Sequence, residues 1–277
     1  KLKYNIFKDV RDFKHHPKLL ITAHAGEDFN HIITGMRRVD ESIQYFGMER
    51  RDRLGHVLSL GMSPKLWLKS VKNILMYKGD RLDDLVWQIV KLKEFSHKGL
   101  DINRLVSIYE NEMWKLFKYI YPRCEYLNVC ITDIYEAWEY RKNCTLTYYK
   151  KQRGNTLFDD YSNAILDEMP NKTACTIFEQ YHTDQGVRDK YKEVINIDKS
   201  DISKEEQQIW EALQDFMIND IARKGIIIET NPSSNVFVSS MDSYKYHPIF
   251  RFYPPRNELL DNQNCFNKYN LRDGVVA

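Results

Sequence analysis

KLLITAHAGEDF, residues 18–29, decides how the rest of the chain is read. Leu19, Leu20 and Ile21 open an apolar run that reaches Ala23, and the run ends in His24, two small residues and Glu27. A run of that length between polar residues predicts a strand. Packing alone requires no such ending. A histidine at a strand end can hold a metal through one ring nitrogen. A glutamate three residues on, past an Ala-Gly turn, reaches the same cavity as a proton donor or acceptor. The residues by themselves leave a second reading open, with His24 a satisfied core histidine and Glu27 the acidic start of the next helix, where a carboxylate suits the dipole.

Two further runs end in the same way: Asp52 to Gly55 before His56, and Gly225 to Glu229 before Asn231. A fourth spans Gly274 to Ala277. Between the first two, Ile32, Ile33, Met36, Val39, Ile43 and Phe46 recur at helical spacing, which predicts a helix from Asp28 to Phe46 stopped by Gly47. Ser203-Lys204-Glu205-Glu206 fits a capping box, and Ile209, Leu213, Phe216 and Ile221 continue one apolar face into the third run. Strand and helix alternate, with polar residues at the strands' C-terminal ends. That layout predicts an α/β fold, a parallel barrel segment with its chemistry on one rim. His24 and His56, at the ends of successive strands, would share that rim. The stretch Glu229 to Asn235 enters it as well, and reads equally as a turn and helix cap.

The middle of the chain differs, and the expected division is 1–61, 62–200 and 201–277. Leu82, Leu85, Val86 and Ile89, then Ile102, Leu105, Tyr109, Met113, Leu116 and Ile120, predict helices joined by loops at Lys98-Gly99 and Tyr121-Pro122. Thr145 to Tyr149 reads as a short strand. A block this long between two barrel strands exceeds an ordinary connection. It reads as a mainly helical inserted subdomain, a place for oligomer contacts or a substrate lid.

Composition bounds the function. The 277 residues, 43% hydrophobic, suffice for one large domain or two ordinary ones. Lys and Arg number 41 against 39 Asp and Glu, so no strong field recruits nucleic acid or an anionic membrane. No stretch approaches the roughly 18 apolar residues of a membrane span, and KLKYNIFKDV lacks a signal peptide's apolar region. The expectation is a soluble, cytoplasmic protein with no membrane partner. Five cysteines without a C-x-x-C pair argue against a disulfide framework and against a thiolate zinc site. His15-His16, Asp83-Asp84, Asp159-Asp160, Arg37, Arg38 and Arg251 read as solvated surface, as charged residues mostly are.

In their order, His24-Ala25-Gly26-Glu27, Arg53-Leu54-Gly55-His56 and the Glu-x-x-Pro-x-Ser-Asn pattern of 229–235, followed by His247-Pro248, resemble the adenosine deaminase family of metal-dependent hydrolases. The resemblance covers roughly residues 18–60 and 224–250. It implies a (β/α)₈ TIM-like barrel of which this chain holds strands 5 to 7 and the start of strand 8. It further implies that His24 ligates Zn²⁺, that Glu27 protonates the purine N1, and that His56 orients or deprotonates the metal-bound water. Gly26 would lie against the purine of an adenine nucleoside or nucleotide, with Asn231 and Ser234 in support. The chain departs from the family pattern in three places. Val57 stands where glycine is usual after the histidine, and neither a His-x-His pair nor a Thr-Asp-Asp motif is present. The gap implies a segment of a longer enzyme, inactive alone, whose other part supplies the remaining ligands. The alternative is a catalytically inactive barrel relative that serves as an assembly or partner-binding scaffold. A connection of about 160 residues between the sixth and seventh strands, the size of a small domain, resembles the deaminase subunit of the bacterial RADAR anti-phage system. That likeness implies a homo-oligomer, an AAA+ ATPase partner and conversion of adenine nucleotides such as ATP to inosine forms.

Overall fold

A computed structural model describes residues 19–94, 101–124, 126–143, 145, 169–233, 235, 246–253 and 275–276. In chain order the first elements are β1 (Thr22–Ala25), α1 (Ile32–Tyr45), β2 (Arg53–His56), α2 (Leu58–Gly61), α3 (Pro64–Ser70) and β3 (Ile74–Tyr77). Then come α4 (Lys78–Glu94), α5 (Ile102–Ile120), α6 (Ile131–Tyr140), α7 (Lys172–Thr183), α8 (Gln185–Tyr191) and β4 (Val194–Ile197). The chain continues with α9 (Lys204–Lys224), β5 (Ile227–Glu229), α10 (Ile249–Phe252) and β6 (Val275–Val276). The fold is mixed α/β. Among the described residues no helix is long and apolar enough to cross a membrane.

The chain divides into two compact units: residues 1–76, 94–102 and 196–277 form the first, and 77–93 with 103–195 the second. The first holds a four-stranded sheet in the order β1-β2-β5-β6, every neighbouring pair parallel. The strands follow one another in chain order without a reversal. Register sets His24 opposite Gly55 and Ala25 opposite His56, and Gly55 in turn opposite Glu229. The three strand ends therefore stand level.

At the other end of this sheet the buried Asp52 ties neighbouring segments together. Asp52 accepts from the backbone N–H of Ile21 at 2.8 Å and of Glu49 at 2.7 Å, and its own carbonyl accepts from Ile227 N–H at 2.8 Å. The core beneath the sheet comes from α1 (Ile32, Ile33, Met36, Val39), from Leu54 and Ile228 of the strands, and from Ile209, Leu213, Ile218 and Ile221 of α9. Ser203 caps α9 by accepting from Glu206 N–H at 3.0 Å, and Gly225 at φ 66° ends the helix, as the capping box predicts.

The starts of the first strand and of the first helix differ from the sequence reading by several residues. Leu19 and Leu20 are exposed and precede the strand, which starts at Thr22, because β1 lies at an edge of the described sheet and has neighbours on one side only. The first helix starts at Ile32, not Asp28. His31 caps it, its Nδ1 accepting from Ile33 N–H at 3.2 Å, and its buried ring meets Trp67 and Trp210 edge-on at 5.2 and 5.1 Å. Glu27 therefore stands outside the helix, free of the dipole role that the second reading gave it.

In the second unit α6 packs along α7, and Tyr109, Met113, Phe117, Trp138 and Phe178 fill its interior. Asp83-Asp84, expected as solvated surface, is buried. Arg141 explains Asp83: its guanidinium grips the carboxylate with two nitrogens, at 2.5 and 3.1 Å, and lies 3.8 Å above the Tyr181 ring. The Tyr191 hydroxyl donates to the same carboxylate at 2.6 Å, and Gly79 leaves room for the Tyr191 ring, which a Cβ there would meet at 2.0 Å. A buried pair of this kind survives because each charge has a partner.

Arg37 and Arg251 are buried too, against the same expectation, whereas Arg38 is exposed. Arg37 pairs with Glu41 one helical turn on. Thr145, expected in a strand, is helical. Lys98-Gly99, residues 146–149, His15-His16, Asp159-Asp160, Cys144, Cys265 and Ser234 lie outside the described residues. Of the described cysteines, Cys124 is buried and Cys130 exposed.

Candidate functional site

Level strand ends bring the motif residues together. His24 ends up exposed at the sheet's C-terminal edge, so it is not a core histidine. Its ring lies across the neighbouring strand above Gly55, where a Cβ would sit 2.0 Å from His24 Cδ2. The glycine of Arg53-Leu54-Gly55-His56 thus makes room for the histidine of the preceding strand.

His56 follows with φ 69° and Val57 with φ 41°, both in the left-handed region that disfavours side chains by roughly 1–2 kcal/mol per residue. Two left-handed residues in succession turn the chain sharply out of β2 and into α2. The turn is secured by Val57 N–H donating to Ala25 C=O at 3.1 Å and by burial of the Val57 side chain. Val57 keeps the backbone shape that glycine would adopt freely. The turn sets the His56 ring edge-on to His24 with centroids 5.0 Å apart.

Gly26 is glycine for local reasons. Its φ is 72°, and a Cβ would lie 2.6 Å from Ser59 Oγ and 2.7 Å from Val39 Cγ2. The position lets the strand end close onto α1 and α2, a packing need that stands whatever binds above it.

Asn235 joins these pieces. It is fully buried, in the helical turn that Pro232 opens after β5. Its Nδ2 donates to Glu27 Oε1 at 2.9 Å, across 208 positions of sequence, and lies 2.8 Å from His56 Nδ1. His56 Nε2 is 3.5 Å from the other Glu27 oxygen. Asn235 Oδ1 accepts from the backbone N–H of Asn231 at 3.1 Å and faces His247 Nε2 at 3.2 Å.

His247 is buried, and desolvation pushes its pKa down to about 4. Its Nδ1 accepts from Ile249 N–H at 3.0 Å. Pro248 packs on Gly61, where a Cβ would meet it at 2.3 Å. Arg251 then pins α10 to α9: it donates to Gln214 Oε1 at 2.5 Å and to Glu211 C=O at 3.1 Å, and it pairs with Asp215. Gln214 in turn donates to the carbonyls of Ser59 and Met62 at 2.6 and 2.8 Å. The His247 segment is thereby fixed to the helix that follows the His56 turn.

Glu27, His56, Asn235 and His247 form one hydrogen-bonded set, with His24 against its edge. Asn231 contributes its backbone. The sequence reading marked Asn235 only as the last residue of a pattern and His247 only as a resemblance, and the structure makes them the centre. Among the described residues no three His, Cys, Asp or Glu side chains gather closely enough to hold a metal ion. A zinc site takes about three protein ligands, and the described residues alone do not supply such a set. No protein-family model matches the chain, and no curated protein matches it significantly.

Proposed function

We propose that this chain forms part of a zinc-dependent hydrolase that deaminates adenine nucleosides or nucleotides. The sheet β1-β2-β5-β6 would be strands 5 to 8 of a (β/α)₈ barrel, a reading supported by parallel strands that follow chain order without reversal. One observation carries the functional proposal: the Glu27 carboxylate and the His56 imidazole, from two strand ends, meet the Asn235 amide that follows a third, with His24 edge-on to His56, all at one end of the sheet. A core-packing role accounts poorly for an exposed His24 or for two left-handed residues at 56 and 57. Strain of that kind concentrates at functional sites.

In this proposal His24 is one ligand of the zinc, and the others come from outside the described residues. When bound, the metal supplies an activated water molecule near neutral pH. Glu27, held at Oε1 by Asn235, presents Oε2 to the substrate and protonates the purine N1 as water adds to C6 and ammonia leaves. His56, 3.5 Å from that carboxylate, orients the water. The second unit would be the insertion that carries homo-oligomer contacts and the surface for an AAA+ ATPase partner, as in an anti-phage deaminase of the RADAR type.

The test is to incubate the full-length protein containing this chain, loaded with zinc, with adenosine, AMP, ATP and dATP, and to identify inosine products by mass spectrometry. Conversion confined to the triphosphates supports the anti-phage subclass, and conversion of adenosine supports an ordinary nucleoside deaminase. No conversion with zinc bound sinks the assignment. Glu27→Gln is expected to bind metal normally and to lose turnover; retained turnover removes Glu27 from the mechanism.

A further inference from the structure

Backbone amides decide where the protons in this site sit, because a backbone N–H can only donate. Ile249 N–H points at His247 Nδ1, so that nitrogen accepts, and a neutral His247 carries its proton on Nε2. From Nε2 it donates to Asn235 Oδ1 at 3.2 Å. The N–H of Asn231 donates to the same atom at 3.1 Å. Two donors therefore identify Oδ1 as the amide oxygen, and the opposite atom as the NH₂ group. That group faces Glu27 Oε1 at 2.9 Å and His56 Nδ1 at 2.8 Å. Since NH₂ donates, His56 Nδ1 accepts, and a neutral His56 keeps its single proton on Nε2.

We propose that Asn235 is a positioning residue: with its amide oriented by His247 and the Asn231 backbone, it fixes His56 as the Nε2–H tautomer. The nitrogen turned toward Glu27 is then a hydrogen-bond donor. It can steer a water or an oxyanion, and it has no lone pair with which to take a proton. Of the two roles open to His56 in the deaminase reading, orienting and deprotonating, this selects the first. That consequence rests on the deaminase reading, whereas the tautomer does not. The reversed amide would set Oδ1 against a Glu27 carboxylate oxygen at 2.9 Å and leave two donors, Asn231 N–H and His247 Nε2–H, facing an NH₂. An unmade hydrogen bond in a buried site is costly, so this alternative is disfavoured twice over.

The experiment is long-range ¹H–¹⁵N correlation NMR on the full chain carrying ¹⁵N-labelled histidine, with His56→Gln used to assign the signals. At a pH where His56 is neutral, the wild-type spectrum is expected to show His56 Nδ1 unprotonated and Nε2 protonated. A wild-type His56 protonated on Nδ1 overturns the proposal, and that measurement needs no variant to fold. In Asn235→Asp, a carboxylate replaces the NH₂ donor, and the proton is expected to move to Nδ1. If the variant keeps the wild-type far-ultraviolet circular dichroism and His56 stays Nε2–H, Asn235 is not what sets the tautomer. Neither readout depends on turnover, so loss of the deaminase assignment and loss of the tautomer assignment are separate results.

Discussion

Acidification should loosen this site through His247. Its pKa falls from 6.5 to about 4 because the ring is buried. Between those values the unfolded chain binds a proton that the folded chain refuses, so stability falls as the pH drops below about 6.5 and is fully present above it. At pH 5 this shifts the folding equilibrium toward the unfolded state by a factor of about 30, worth about 2 kcal/mol, against about 0.2 kcal/mol at pH 7. Geometry points the same way, since a protonated Nδ1 would turn an N–H toward the N–H of Ile249, now 3.0 Å away and donating to it. Urea unfolding of the wild type and of His247→Gln at pH 7 and at pH 5 isolates the contribution, because glutamine does not titrate. The wild type should lose about 2 kcal/mol more than the variant over that interval. Equal losses in the two proteins would show that His247 is not held neutral by its surroundings.

Three other substitutions test separate parts of the structure. Gly55→Ala should displace the His24 ring, since the new Cβ would lie 2.0 Å from Cδ2, and under the proposed assignment of His24 as a zinc ligand it should weaken zinc binding by the full-length protein about 10- to 100-fold, the usual cost of disturbing a ligand's support. Unchanged zinc affinity would free His24 orientation from Gly55. At position 57, Val57→Gly should be at least as stable as Val57→Ala on thermal unfolding, because only alanine retains the left-handed strain of roughly 1–2 kcal/mol; a glycine variant clearly weaker than alanine refutes the strain. Asp83→Asn leaves the Arg141 guanidinium buried without its counter-charge and should destabilise the second unit by about 3–5 kcal/mol. A loss under about 1 kcal/mol, the range of an exposed pair, would contradict that burial.

What could be read from the sequence was local. Period-two and period-3.6 apolar patterns depend on neighbours within a few residues, so α1, α4, α5 and α9 and the strands around His24, His56 and Glu229 were visible, within a few residues at their ends. The capping box at Ser203 was legible for the same reason. Charge burial was not. Asp83 and Arg251 look like surface residues because the partners that make burial tolerable lie elsewhere: Arg141 is 58 positions from Asp83, and Gln214 is 37 from Arg251. No periodicity encodes such a pairing.

The site divides along the same line. His24, Glu27 and His56 announce themselves by type and position, yet each alone also fits a bland role, and only the parallel register that sets Ala25 opposite His56 and Gly55 opposite Glu229 brings them level. Once the strands are level, Gly55 has a reason to be glycine, because the ring it accommodates belongs to the adjacent strand. Asn235 acquires its importance in the same step. An asparagine after a Pro-Ser-Ser turn suggests a cap, and its two acceptors, 208 and 179 positions away, become neighbours only when the three strands are assembled. A side chain that both donates and accepts is the one type that can tie a carboxylate and an imidazole to a second imidazole and a backbone amide at once. Leucine would fill the space, and aspartate would repel Glu27. The requirement for an amide at 235 is thus set by the charges and proton positions of its partners, and those exist only in the folded chain.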